Sequence, residues 1–144
     1  MTELPSKIVA GASVSGNEYG WSIASFPEAL RNAEALQFAC IGGQFQFRVD
    51  KGICEMYWLD ADASDQRADE PWVEYCNRSC VEVRQRFQQV VATTDFRKEA
   101  LNWPILKAKV DAGFDIESSV VFVAYFVEES ESLSLCKTPL KEQE

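Results

Sequence analysis

The stretch Gln44-Phe45-Gln46-Phe47-Arg48-Val49, followed by Asp50-Lys51-Gly52 and Cys54-Glu55-Met56-Tyr57-Trp58-Leu59, decides the fold. Polar and apolar residues alternate through the first six, the period of a strand whose two faces meet different surroundings. The Asp-Lys-Gly turn and the extended run behind it make an antiparallel hairpin. Parity then assigns the faces. With Val49 opposite Cys54, the residues Phe45, Phe47, Val49, Cys54, Met56 and Trp58 share one side, while Arg48 stands opposite Glu55 and Gln46 opposite Tyr57. A slip of one residue would mix the faces. The hairpin therefore predicts an apolar inner face and a polar outer face of Gln44, Gln46, Arg48, Glu55 and Tyr57.

On the N-terminal side, Val9 to Tyr19 carries glycine and serine and reads as a short strand leading into an irregular connection. Ser25-Phe26-Pro27-Glu28 has the form of a capping box, with proline inside the first turn of the helix it opens. Leu30, Ala33 and Leu36 follow at helical spacing, and Gly42-Gly43 ends the segment. On the C-terminal side, Asp60 to Glu70 reads as an acidic loop. Pro71 opens a long helix to about Thr93, with Trp72, Cys76, Cys80, Val83, Phe87 and Val90 as its apolar stripe. Glu74, Arg78, Glu82 and Arg86 form a ladder of alternating charge on the opposite side of that helix. Asp95 caps a short helix through Asn102, and Ile105 to Ala112 forms another that stops at Gly113. Ser119 to Val127 is apolar at nearly every position, the pattern of a central strand covered on both faces. If Val120, Phe122, Ala124 and Phe126 take the helix side, then Val121, Val123, Tyr125 and Val127 need a second cover.

These elements predict an α+β fold: a small, mostly antiparallel sheet with two main helices packed on one face, a two-layer sandwich. Residues 1–128 form the single domain and residues 129–144 a polar acidic tail, in which Leu133, Leu135 and Cys136 could dock.

Of the 144 residues, 14 are Lys or Arg and 23 are Asp or Glu, for a net charge of −9. The charge is polarised, with net −6 over residues 55–74, +4 over 75–110 and −6 over 111–144. Such a balance argues against nucleic acid as a direct ligand. Met1 to Ser15 lacks the form of a secretory signal, and the longest apolar run, Val120 to Val127, is far short of the ~20 residues a spanning helix needs. Five cysteines in mainly apolar contexts suit packed thiols in a reducing cytoplasm.

Catalytic signals are poor. No histidine occurs, which removes the commonest general base and the commonest metal ligand. Cysteine spacing fits no zinc finger or ribbon, and no cofactor or metal site is expected. A calcium loop starting at Asp60 would need glycine where Asp65 stands and glutamate where Pro71 stands. Gly11-Ala12-Ser13-Val14-Ser15-Gly16 has neither the spacing of a nucleophile elbow nor the Gly-Lys-Ser/Thr ending of a phosphate loop.

The resulting expectation is a non-enzymatic, acidic protein-binding domain of the bacterial cytoplasm. Most concretely, it is an immunity or inhibitor protein that occludes a basic toxin or nuclease. The expected contact set is Gln44, Gln46, Arg48, Glu55, Tyr57, Asp60, Asp62 and Asp65. Two rivals stay open: a histidine-free enzyme with a carboxylate, Arg48 and Tyr57 pocket, and a homo-oligomerising domain.

Overall fold

Strands β1 (Ala12–Ser15), β2 (Glu18–Ser22), β3 (Ala39–Val49), β4 (Gly52–Asp62) and β5 (Val120–Val127) form one sheet in the order β1-β2-β5-β3-β4. Every neighbouring pair is antiparallel. The computed structural model describes residues 4–50 and 52–131. Most of the acidic tail, with Leu133, Leu135 and Cys136, lies outside the described residues. The helices are α1 (Ser6–Val9), α2 (Phe26–Ala35), α3 (Trp72–Thr93), α4 (Phe96–Ala100) and α5 (Pro104–Asp111), with a 3-10 turn at Ile116–Ser119. They pack against the sheet, and the fold is α+β as expected.

The inner face of the sheet is aromatic. Phe26 of α2, Phe45 of β3, Phe87 of α3 and Phe122 of β5 meet with ring centroids 4.6 to 5.4 Å apart. Cys54 and Met56 of β4 are buried beside them, and so are Cys80, Val83 and Val90 of α3. Trp21 closes the β2 end with no exposed surface, its indole N–H donating to the Ile8 carbonyl at 2.9 Å. That bond satisfies a polar atom which burial would otherwise leave costly. The first turn of α3 covers a separate cluster, in which Trp72, Tyr75 and Cys76 meet Ala39 and Val127.

Several local readings change. The N-terminal segment is a second hairpin, with Ser15 paired to Glu18 and Ala12 to Trp21, rather than an irregular connection. The capping box does not form. Ser25 has helical backbone angles (φ −92°, ψ −20°), whereas a capping side chain needs an extended residue to carry it. Its hydroxyl donates instead to the Ser22 carbonyl, and Glu28 pairs with Arg31. Helix α2 stops at Ala35, well before the glycines. Gln37 takes a left-handed φ of 61°, and the Phe38 N–H donates back to the Ala33 carbonyl at 2.9 Å. Gly42 and Gly43 instead lie within β3. Asp95 does cap α4, accepting from the Lys98 N–H at 3.1 Å, but that helix ends at Ala100 rather than Asn102.

The main hairpin keeps its predicted faces in a different register. Val49 pairs with Gly52, Phe47 with Cys54 and Phe45 with Met56, a shift of two residues from the expected pairing. Because the shift is even, parity survives and Phe45, Phe47, Cys54 and Met56 all face the core. The partners across the strands change: Arg48 now stands opposite Ile53, and Gln46 opposite Glu55.

Candidate binding face and its notch

On its other side the sheet carries rows set by the same pairings. One row runs through Ser13, Gly20, Val123, Gln44 and Asp60, and the next through Ser22, Val121, Gln46 and Glu55. The second apolar row of β5 sits here: Val123 has no exposed surface, Val121 is half-buried and Tyr125 is 40% exposed. Neither Val123 nor Val121 belongs to a core cluster.

Arg48 supplies part of the missing cover. Its Nη1 donates to the Ser13 carbonyl at 3.0 Å and to Ser13 Oγ at 2.9 Å, and Nη2 donates to the Glu18 carbonyl at 3.2 Å. Its Nε donates to Gln46 Oε1 at 2.7 Å. Glycine at position 20 leaves room for this crossing, since a Cβ there would lie 3.0 Å from both the guanidinium carbon and a Val121 methyl. Burial lowers the Arg48 guanidinium from its ordinary value, and nearby Glu18 opposes the shift. Arg48 is thus tied to the β1–β2 hairpin by three donated bonds and to its own strand by a fourth. Gln46 is only 1% exposed and offers no surface to a partner. Among the described residues, its Nε2 is a buried side-chain polar atom with no hydrogen-bond partner.

Three residues, Tyr57, Trp58 and Leu59, create the main relief on this face. Phe45 pairs with Met56, but the next β3 residue, Gln44, pairs with Asp60, so these three stand as a bulge in β4. An odd insertion flips parity. Trp58 stays on the helix side, where Trp103 packs in turn on Phe47, but at the rim of the sheet it is 44% exposed rather than buried. Asp60 and Asp62 lie on strand β4, not in the loop, while Ala61 is buried opposite Gly43. The bulge is braced: Trp58 stacks on Trp103 at 5.9 Å and 15°, and its indole donates to Glu99 at 3.0 Å. Tyr57 then packs edge-on against Trp58 at 5.2 Å and remains 69% exposed.

Beside the bulge lies a notch of about 230 Å³, lined by Ile41, Gln44, Tyr57, Asp60, Asp62 and Tyr125 over a Gly42-Gly43 floor. Gly42 has φ +135°, and a Cβ there would fall 2.2 Å from Asp62 Oδ1. The Asp62 carboxyl thus occupies the space a side chain at position 42 would fill. Burial raises the Asp62 pKa, Asp60 raises it further, and the Gly43 N–H works against both. Tyr125 donates to Glu18, and burial followed by that bond pushes its phenol up to about 12. Of the expected residues, the notch brings together Gln44, Tyr57, Asp60 and Asp62; Glu55 lies exposed in the neighbouring row. Ile41, Tyr125 and Glu18 were missed. Tyr125 had a signal in the second row of β5, and Glu18 had none.

Asp65 belongs elsewhere. The chain after β4 is clamped to α3 by Arg78, which donates to both Glu70 oxygens at 2.7 Å, to Ser64 Oγ at 2.7 Å and to the Asp65 carbonyl at 3.0 Å. The expected helix ladder survives only as Arg78–Glu82 at 3.1 Å, because the closer Glu70 dominates; Arg86 bonds Gln89 instead. The Arg78 hydrogen bond holds the Glu70 carboxyl down at about 2. The acids of this segment are therefore partly spent within the fold.

Cys40, Cys54, Cys76 and Cys80 are buried free thiols, and burial pushes Cys76 up to about 11 and Cys80 up to about 12. They pack as neutral thiols. Among the described residues, no group of three or more cysteines and carboxylates is placed to hold a metal ion, and no helix is long and apolar enough to cross a membrane. Comparison with protein-family models, with curated proteins and with solved structures finds no match to this chain.

Proposed function

We propose that the chain is a non-enzymatic docking protein whose outer sheet face receives a basic protein. In its most concrete form it is a cytoplasmic immunity or inhibitor protein of a bacterium, occluding a basic toxin or nuclease. The observation that carries this reading is the makeup of the face. Ile41, Tyr57 and Tyr125 are exposed there beside Glu18, Glu55, Asp60 and Asp62, while the arginine on that face is occupied by internal bonds. Exposed tyrosines supply contact area with little side-chain entropy to lose, and carboxylates that no internal cation neutralises speed encounter with a basic surface. The chain's net charge of −9 acts in the same direction.

A carboxylate enzyme is the second reading, favoured by the raised pKa of Asp62 inside a depression. Its weakness is size, since about 230 Å³ falls below the ~300–1,000 Å³ of typical small-molecule sites.

Affinity capture from the source lysate, with the full chain as bait, tests the docking reading. Wild type should retain a basic protein in near-stoichiometric yield and release it with salt. The double variant Glu55→Lys/Asp60→Lys should lose at least ten-fold in affinity for that protein. Undiminished capture by the double variant, or recovery of acidic proteins only, overturns the reading.

A further inference from the structure

We propose that the notch beside the β4 bulge is the receptor for one arginine side chain of the docked partner, a deepening that rests on the docking reading above. The cavity comes first: at about 230 Å³ it matches the end of a single side chain better than a free metabolite. Its walls suit a planar organic cation. Tyr57 and Tyr125 both line the notch, and guanidinium stacks on tyrosine rings more readily than ammonium does. At the floor, the Asp62 carboxyl is folded over Gly42, where no Cβ competes for the space, and Asp60 lies two residues away on the same face. Two carboxylates and the Gln44 carboxamide supply acceptors for the fork of guanidinium N–H groups.

The walls are also fixed in advance. Tyr57 rests on Trp58, which is stacked on Trp103 and bonded to Glu99, and Tyr125 is tethered to Glu18. A site whose rings are already held loses less freedom on binding. Charge complementarity favours the same occupant. Burial first and the neighbouring Asp60 second raise the Asp62 pKa, and a guanidinium between the two carboxylates would relieve the repulsive part.

The test is a nitrogen-15 NMR titration of the full chain with N-acetyl-arginine methylamide, with the matching citrulline and lysine compounds as controls. Arginine should give saturable shifts at the amides of Gly42, Gly43, Gln44 and Tyr57, with little change at Arg67 and Asp69 on the clamped loop. Citrulline, which keeps the shape and loses the charge, should bind at least ten-fold more weakly. Asp62→Asn keeps an acceptor for the Gly43 N–H and should also weaken arginine binding at least ten-fold; Tyr57→Ala, on the exposed wall, gives an independent variant with the same expectation. Equal shifts from citrulline, shifts spread evenly over all surface acids, or a preference for lysine each overturn the proposal. Arginine binding in the notch without capture of any basic protein supports the notch and overturns the docking reading. Capture of a basic protein unaffected by Asp62→Asn does the reverse.

Discussion

The two faces of the same five strands are held by different physics. On the inner face, rings from four separate elements interlock at 4.6 to 5.4 Å, and the stabilisation comes from apolar area removed from water. On the outer face, a single arginine reaches from β3 to the β1–β2 hairpin and holds it through directed hydrogen bonds. The first arrangement leaves nothing exposed and nothing to recognise. The second leaves Val121 half-buried and tyrosines and carboxylates at the surface, so the cheaper cover is also the one available for binding.

This contrast can be broken by measurement. The largest effect is expected at Phe122→Ala, which removes a ring touching Phe26, Phe45 and Phe87 and should cost about 3–5 kcal/mol in urea unfolding. A loss below about 1 kcal/mol would mean that the core is not the main source of stability. Next is Arg48→Ala, expected to cost about 1–3 kcal/mol by orphaning the buried Gln46 carboxamide oxygen and removing three further bonds to the β1–β2 hairpin. Hydrogen exchange sharpens that case: amides of β1 and β2 should exchange faster while those between β3 and β5 keep their protection. Uniform deprotection would show that Arg48 supports the whole sheet rather than one hairpin. Smallest is Tyr57→Ala, whose side chain is 69% exposed; stability should stay within about 0.5 kcal/mol. A larger loss would make Tyr57 part of the scaffold and would disqualify it as a clean probe of binding.

The inner face is legible because parity tolerates an even error: the hairpin register differs by two, yet Phe45, Phe47, Cys54 and Met56 still reach the core. The outer face depended on features that no local pattern carries. Trp58 fits the inner alternation as well as it fits a bulge, and only the pairing of Gln44 with Asp60 separates the two. Asp60 and Asp62 stand out as acids, but their strand continues past an insertion that breaks its period, and a broken period has the pattern of a loop. Arg48 was legible as a polar outer residue, but its reach to Ser13 crosses 35 positions of sequence. Arg78 shows the same limit: a helical neighbour at i+4 is visible in spacing, while Glu70, the stronger partner, comes from the preceding loop. At Ser25 the motif was present and the backbone angle was not.

The β4 bulge has a further consequence for self-association. Strand β4 is the last in the sheet, spans eleven residues and has one neighbour, so its free edge could template another strand. A flat edge of that length is an aggregation hazard in any crowded solution. The three-residue insertion at Tyr57 to Leu59 interrupts the ladder near its middle and divides the edge into shorter runs. What shapes the notch also works as a guard against open-ended strand addition.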